Sequence, residues 1–164
     1  MQLVNFKENI QNFQRIISTI KKMPGNSACV DCGQRDPTWI SVNLGILICT
    51  ECSGIHRQIG VNYSKVRSLD LDQIGTANLL IARTMSNETF NEVYEALDNI
   101  AEKPRPGPKE MKLRESYIYK KYVLRSSIQR TSYGEKELGR DMEAAIKEHD
   151  MHTLLQSFAE VIIL

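Results

Sequence analysis

Several things are scarce in this chain of 164 residues. It has four cysteines, one tryptophan and almost no charge excess, with 21 basic against 20 acidic side chains. Its apolar runs are far shorter than the roughly 20 residues of a membrane span, and no signal-like apolar segment opens it. These absences argue against a membrane protein, a disulfide-rich secreted protein and a polyanion binder. The hydrophobic content of 41% suffices for a globular core, so we expect a soluble domain with an appendage.

The four cysteines that are present follow a metal-binding pattern. Cys29 and Cys32 form one C-x2-C pair, and Cys49 and Cys52 form another after sixteen intervening residues. Each pair can ligate one ion from a tight turn, and two pairs complete the tetrahedral sulfur site of structural zinc. Disulfides and iron or iron–sulfur ligation are the alternatives, disfavoured by a reducing compartment and by the regular pairing. We expect one structural zinc ion without an open coordination position.

The first half of the chain predicts one helix and then short elements. Apolar residues at steps of four and three predict an amphipathic helix that begins at Asn5 and ends at 23–25. Its stripe consists of Phe6, Ile10, Phe13, Ile17 and Ile20. Short β-prone runs over 24–72 favour a small sheet threaded through the metal site. Residues 50–59, after the second cysteine pair, predict a short helix that carries Arg57.

More helices are predicted farther along. Two are expected over 76–86 and 88–97, the second capped by Asn87, and both should pack over the sheet. Three of the five prolines fall in 98–110, which predicts an extended connector. The helix after it has a buried side formed by Leu113, Tyr117, Ile118, Tyr122 and Leu124. Over 109–130 seven basic residues outnumber two acidic ones, which suits either a solvated helix face or contact with an anionic membrane.

The domain organisation follows from these elements. The fold class is α+β, a small zinc-bound antiparallel sheet surrounded by several helices. We assign a zinc-finger domain to residues 1–130, with its core at about 8–125. The stretch 126–140 is polar and contains two glycines, so it is linker-like, with the linker proper at 131–140. Residues 141–164 predict a helix pair.

Three segments carry a family resemblance. They are Cys29-Val30-Asp31-Cys32-Gly33, Asp36-Pro37-Thr38-Trp39-Ile40-Ser41-Val42-Asn43-Leu44-Gly45 and Cys49-Thr50-Glu51-Cys52-Ser53-Gly54-Ile55-His56-Arg57. Together they resemble the catalytic domain of GTPase-activating proteins for Arf-family small GTPases, and the similarity covers roughly residues 8 to 130. Departures such as Gln58-Ile59 touch neither a cysteine nor Arg57. The tail is similar to a first ankyrin repeat, although it lacks the glycine that normally closes the helix pair.

The resemblance implies roles for individual residues. Arg57, five places after Cys52, is expected to be the catalytic arginine finger inserted in trans beside the GTP of the partner. Trp39 is expected to position that arginine and also to pack in the core. The supporting or partner-facing residues are Asn43, Leu44, Ile46 and Asp72, the last as an acceptor at a strand end. His56 is not expected to ligate the metal.

The resemblance also implies partners and a location, and it leaves alternatives. The chain would activate GTP hydrolysis by a GTP-bound Arf-family GTPase rather than be an enzyme itself, in the cytoplasm and peripherally on membranes during vesicle trafficking. An inactive scaffold of the same fold is one alternative. The cysteine spacing also resembles GATA-type DNA-binding fingers, but residues 24–72 carry four basic against five acidic side chains, which suits no nucleic acid.

Overall fold

A computed structural model describes residues 2–97, 102–131 and 134–161, with side chains from residue 12 onward. This part of the chain forms a three-stranded antiparallel sheet and seven α-helices, which confirms the expected α+β class. The helices are α1 Gln2–Lys21, α2 Thr50–Ile59, α3 Thr76–Thr84, α4 Asn87–Tyr94, α5 Met111–Ile118, α6 Glu135–Glu148 and α7 Met151–Val161. The strands are β1 Trp39–Ser41, β2 Ile46–Ile48 and β3 Val66–Ser68. Within the described residues, no helix has the length and apolar character needed to cross a membrane.

The sheet has the order β2-β1-β3 and is buried on both faces. In its central strand Ile40 lies opposite Leu47 on one side and Arg67 on the other. All three residues of β2 are buried, because helices cover both sides of the sheet. The outer edge of β2 is closed by the side chain of Asn87, which accepts from the Leu47 amide at 2.8 Å and donates to the Leu47 carbonyl at 2.9 Å. The edge therefore has no open hydrogen-bonding groups at Leu47.

Two apolar clusters lie on opposite faces of the sheet. The main cluster contains the four cysteines and buried residues of β2, α4, α5, the turn after α5, and α7. Among them are Ile46, Ile48, Phe90, Tyr94, Tyr117, Tyr122, Leu155 and Ala159. The second cluster lies under α1 and α3 and contains Ile20, Ile40, Val42, Leu47, Leu69, Ile74, Leu79 and Ala82. The two helices expected to pack over the sheet therefore cover different faces of it.

The starts of α1 and α4 differ from the sequence predictions. α1 begins at Gln2 rather than Asn5, since no helix breaker precedes Asn5. Of its predicted stripe, Phe6 and Ile10 lie outside the described side chains. α4 is capped by Ser86, whose hydroxyl accepts from the Thr89 amide, and not by Asn87. Asn87 is the first helical residue, and its side chain is used on the edge of β2 instead.

The segment after α5 changes the predicted buried stripe. A short 3-10 turn at Pro108–Glu110 leads into α5. Residues Tyr119–Leu124 continue α5 as a π-helical turn. The wider π turn shifts the phase of the helix. Tyr117 and Tyr122 are buried as predicted, whereas Leu124 is 55% exposed. Residues 98–101 of the expected connector lie outside the described part of the chain.

The expected helix pair is present and begins earlier than predicted. α6 starts at Glu135, inside the stretch expected to be a linker, because nothing after Gly134 breaks the helix until the turn between α6 and α7. His149 adopts a left-handed conformation with φ of 57° and ends α6, in place of a glycine. α7 then packs against α4, with Leu155 and Ala159 in the main cluster. The final three residues, 162–164, lie outside the described residues.

Candidate metal centre and arginine site

The two cysteine pairs meet in one buried site. The four Sγ atoms lie within 4.8 Å of one another, with 3.6 Å between those of Cys32 and Cys49. In the first pair, the Gly33 amide donates to the Cys29 carbonyl at 3.0 Å, a tight turn that requires the positive φ of 73° at Gly33. The second pair begins α2, where Cys49 is the N-cap and its sulfur accepts from the Cys52 amide at 3.5 Å.

The geometry and chemistry of this donor set fit a zinc ion. Ligands at about 2.3 Å in a tetrahedron place sulfur atoms about 3.8 Å apart, close to the 3.6 Å between Cys32 and Cys49. All four cysteines are buried, and buried thiolates are costly unless a cation compensates their charge. Four thiolates would fill the tetrahedron, and a metal held there would organise the fold rather than bind substrate.

Arg57 lies at the surface beside this site. It is exposed in the last turn of α2, the helix that begins at the second cysteine pair. Its guanidinium carbon lies 4.4 Å from the centroid of the half-buried Trp39 ring, a cation–π arrangement. Trp39 Nε1 donates to Thr50 Oγ1 at 3.3 Å, and the ring packs against the main cluster. The arginine is therefore directed by a helix that begins in the cysteine site and by an aromatic ring that packs against the main cluster.

The residue before Arg57 is fixed from inside. His56 is fully buried, with Nε2 3.0 Å from Asp31 Oδ2 and Nδ1 2.8 Å from Ser64 Oγ. Asp31 lies between Cys29 and Cys32, so this pair joins the last turn of α2 to the first cysteine turn. Both ring nitrogens of His56 therefore have hydrogen-bond partners other than the cysteine sulfurs.

Asp31 belongs to a larger buried network of charges. Lys121 Nζ lies 3.4 Å from Asp31 Oδ1 and 2.6 Å from Glu95 Oε1, and Tyr122 donates to Asp31 at 2.7 Å. Burial alone raises the pKa of Asp31, but the Lys121 charge and the His56 hydrogen bond outweigh it and lower the pKa to about 2. Burial also raises the pKa of Glu95. The Lys121 charge and the hydrogen bonds from Lys121 and Tyr117 outweigh burial, so the pKa of Glu95 is lowered. The network joins the first cysteine turn, α4 and the π-helical turn.

The other expected site residues fall in different environments. Asn43 is exposed and holds the neighbouring loop, since its Oδ1 accepts from the Lys65 amide at 2.7 Å. Leu44 is half-buried against the main cluster. Ile46 is fully buried in β2, where its side chain has no exposed surface, and its supporting role stays a prediction. Asp72 Oδ2 accepts from the Ser68 amide at 2.7 Å at the end of β3.

Two basic residues that the sequence does not single out contact the site or its neighbours. Arg114 and Lys121 were counted within the basic stretch 109–130, yet both are fully buried. Arg114 Nη1 donates to Cys52 Sγ at 3.1 Å. Arg114 lies 62 positions from Cys52 in the sequence, and Lys121 lies 90 positions from Asp31. No local sequence pattern can predict contacts between residues so far apart. Their place between apolar residues of α5 and the π-helical turn is the only hint in the sequence.

Comparison with known families decides the membership of this chain. The ArfGap family model, described as a "GTPase activating protein for Arf", matches residues 14–131, which include the four cysteines and Arg57. The chain belongs to this family. The ArfGap match ends before α6, so the ankyrin resemblance of the helix pair stays a prediction.

Curated ArfGap relatives agree with the family model. The chain is 44% identical over 128 residues to "Arf-GAP with coiled-coil, ANK repeat and PH domain-containing protein 2" of Rattus norvegicus, and 43% identical over 130 residues to the protein of that name in Homo sapiens. Each match covers 77% of this chain and only 16% of the relative. The chain thus spans a small part of these relatives.

Solved structures agree at the level of the fold. The structure titled "ArfGap domain of HIV-1 Rev binding protein" is similar with a TM-score of 0.66 and 19% sequence identity. The similarity covers 77% of this chain and 95% of that one. The fold of this chain is therefore similar to that of a solved ArfGap domain.

Proposed function

We propose that this domain accelerates GTP hydrolysis by an Arf-family small GTPase in its GTP-bound form, acting in trans without being the hydrolase. Arg57 is the arginine finger. In such reactions charge builds on the oxygens of the transferred phosphoryl group, and an arginine supplied by the activator stabilises it. The planar guanidinium offers paired donors that match phosphate oxygens.

The observation that carries this proposal is the way in which Arg57 is positioned at the surface. Its side chain is exposed, while the residue before it is fully buried and bonded to Asp31 and Ser64. α2 starts in the cysteine site, and the Trp39 ring supports the guanidinium from the side. An exposed arginine held by a rigid element can enter a partner's site with little loss of conformational entropy.

Zinc is the metal we propose for the cysteine site, one ion per chain in a structural role. Cys29, Cys32, Cys49 and Cys52 would hold it, and its chemistry is to bring the two cysteine turns together. Metal analysis of the purified protein should give close to one zinc per chain. A content far below that, or bound iron, would contradict the assignment.

The arginine finger is tested by single-turnover GTP hydrolysis on an Arf-family GTPase with saturating activator. We expect Arg57→Lys to keep zinc and fold but to lose most of the acceleration, on the order of 10³-fold or more, because lysine offers a point charge instead of a fork. The matched control is Arg140→Lys, an exposed helical arginine outside the family match.

The outcomes separate the parts of the proposal. Full activity of Arg57→Lys would remove Arg57 from the mechanism. If the wild type itself gave no acceleration, the chain would be an inactive scaffold of the ArfGap fold. Loss of activity in Arg140→Lys would mean that the arginine effect is not specific to α2.

We also propose a cytoplasmic location with peripheral membrane contact, in line with a role in vesicle trafficking. The supporting surface is smaller than the sequence predicts, because Arg114 and Lys121 are buried, but Lys109 and Lys112 stay exposed. Sedimentation with vesicles containing phosphatidylserine should show salt-sensitive binding that Lys109→Gln with Lys112→Gln weakens. Equal binding to neutral vesicles would contradict this.

A further inference from the structure

Arg114 is a fully buried arginine whose hydrogen bonds lead to the metal site. Nη1 donates to Cys52 Sγ at 3.1 Å, while Nη2 donates to the carbonyl oxygens of Arg105 at 3.0 Å and Gly107 at 2.6 Å. One guanidinium therefore contacts both a sulfur of the cysteine site and the backbone of the proline-rich loop 104–108.

The charge of Arg114 requires a partner inside the protein. A guanidinium removed from water is costly unless an anion compensates it. In the described ranges no carboxylate forms an ion pair with Arg114. The atom it contacts that can carry negative charge is Cys52 Sγ. Four thiolates around a divalent ion leave a net charge of −2, so the cysteine site supplies the anion that Arg114 needs.

The loop depends on the same side chain. Gly107 has a φ of 105°, and its carbonyl is directed to Arg114, as is that of Arg105. The Arg105 amide is in turn held by Glu110 Oε2 at 3.0 Å. Because prolines at 104, 106 and 108 have no amide to donate, few backbone bonds of its own can hold this loop.

We propose that Arg114 is the internal counter-charge of the metal–thiolate centre and the residue through which metal binding orders the loop 104–108 and the start of α5. This rests on the metal site proposed above. Arg114 is a positioning residue, since it acts through Cys52 and does not contact the reacting atoms. Its two functions are separable: charge stabilises the metal–thiolate centre, while the fork of donors holds the loop.

The test compares Arg114→Met and Arg114→Lys with Lys112→Met, a control on the exposed part of the same helix. Zn²⁺ affinity is measured by competition with a chromophoric chelator at fixed pH. Hydrogen exchange is followed in peptides covering residues 102–113. Co²⁺-substituted protein reports the sulfur-to-metal charge-transfer band, which a merely structural change elsewhere would leave in place.

We expect Arg114→Met to lower Zn²⁺ affinity by about 10- to 100-fold, the usual effect of losing a group that bonds a metal ligand. It should also shift the Co²⁺ band and speed exchange in the loop. Arg114→Lys should regain most of the affinity while exchange stays fast, because a lysine keeps the charge but not the fork. Lys112→Met should match the wild type.

Contrary results are distinct from failure of the metal site itself. A wild type that binds no Zn²⁺ would overturn both proposals. A wild type that binds it, with Arg114→Met equal in affinity and band position, would overturn the role of Arg114 alone. If Arg114→Met does not fold, Arg114→Lys decides: wild-type loop exchange in that variant would contradict the proposal.

Discussion

At the scale of single residues, Arg57 is defined by its immediate neighbours. The Trp39 ring lies 4.4 Å from its guanidinium carbon, and His56 anchors the backbone one position earlier. An exposed arginine normally samples many rotamers, and ordering it costs free energy. For the arginine finger proposed above, a ring that restricts those rotamers before a GTPase binds would lower that cost.

Replacement of Trp39 should therefore slow the activated reaction without abolishing it. A cation–π contact contributes about 0.5 to 2 kcal/mol, so we expect Trp39→Ala to reduce the single-turnover rate by about 2- to 30-fold. Trp39→Phe should fall between that variant and the wild type. Because Trp39 also packs on the main cluster, thermal unfolding and zinc content are measured in parallel. A rate unchanged in a folded Trp39→Ala protein would contradict the positioning role.

At the scale of elements, buried charges join segments that the sheet does not. Lys121 of the π-helical turn lies between Asp31 of the cysteine turn and Glu95 at the end of α4. Removal of one member of such a network leaves the others buried without compensation, which is strongly destabilising. The network therefore fixes α4 and the π-helical turn relative to the cysteine site.

Glu95 gives this network a pH dependence. Its pKa in the folded protein is below the usual value of 4.5, so the stability it contributes is present above that pH and is lost as pH falls below it. We expect the wild type to exceed Glu95→Gln in free energy of unfolding at about pH 6, and the difference to shrink below about pH 4.5. Denaturant unfolding at constant free zinc measures it.

The control for Glu95 is Glu143→Gln, which breaks an exposed pair with Lys147 on α6. Exposed pairs of this kind contribute about 0 to 1 kcal/mol, so its curve should stay close to the wild type at every pH. A difference between the wild type and Glu95→Gln that does not vary with pH would show that Glu95 contributes no titrating interaction.

At the scale of the whole molecule, the helix pair is packed on the ArfGap domain. Leu155 and Ala159 of α7 are part of the main cluster, and Arg125 Nη1 donates to the Ala159 carbonyl at 3.0 Å. Gln156 further donates to the Gln129 carbonyl at 2.6 Å. α7 thus covers part of the apolar cluster that lies on the same face of the sheet as the cysteines.

Truncation after residue 131 tests what this contact contributes. Burial of one leucine side chain stabilises by about 1.5 to 3 kcal/mol, so removal of α6 and α7 should lower the free energy of unfolding by roughly 3 kcal/mol. Zinc binding should persist, because all four cysteines precede the cut. Leu155→Ala in the full chain gives a smaller loss in the same direction. An unchanged unfolding midpoint on truncation would contradict this packing.

Much of the fold was predictable where the determining interactions are local. The cysteine spacing, the helix over 50–59 and the burial of Tyr117 and Tyr122 all follow from patterns within a few turns of chain. Asn87 was predicted as a cap because its neighbours in sequence suit one, but its side chain bonds to Leu47, 40 residues away. Leu124 was predicted as buried because the sequence does not reveal a π-helical turn.

By itself the sequence determined the grouping of the four cysteines and the position of Arg57 relative to them, because the rise of a helix over five residues fixes that separation. Only the tertiary structure decided that Arg114 is a buried partner of Cys52, and Lys121 a buried partner of Asp31, rather than solvated charges. Their partners lie 62 and 90 residues away, and a charge count cannot distinguish a side chain in water from one compensated by a distant anion.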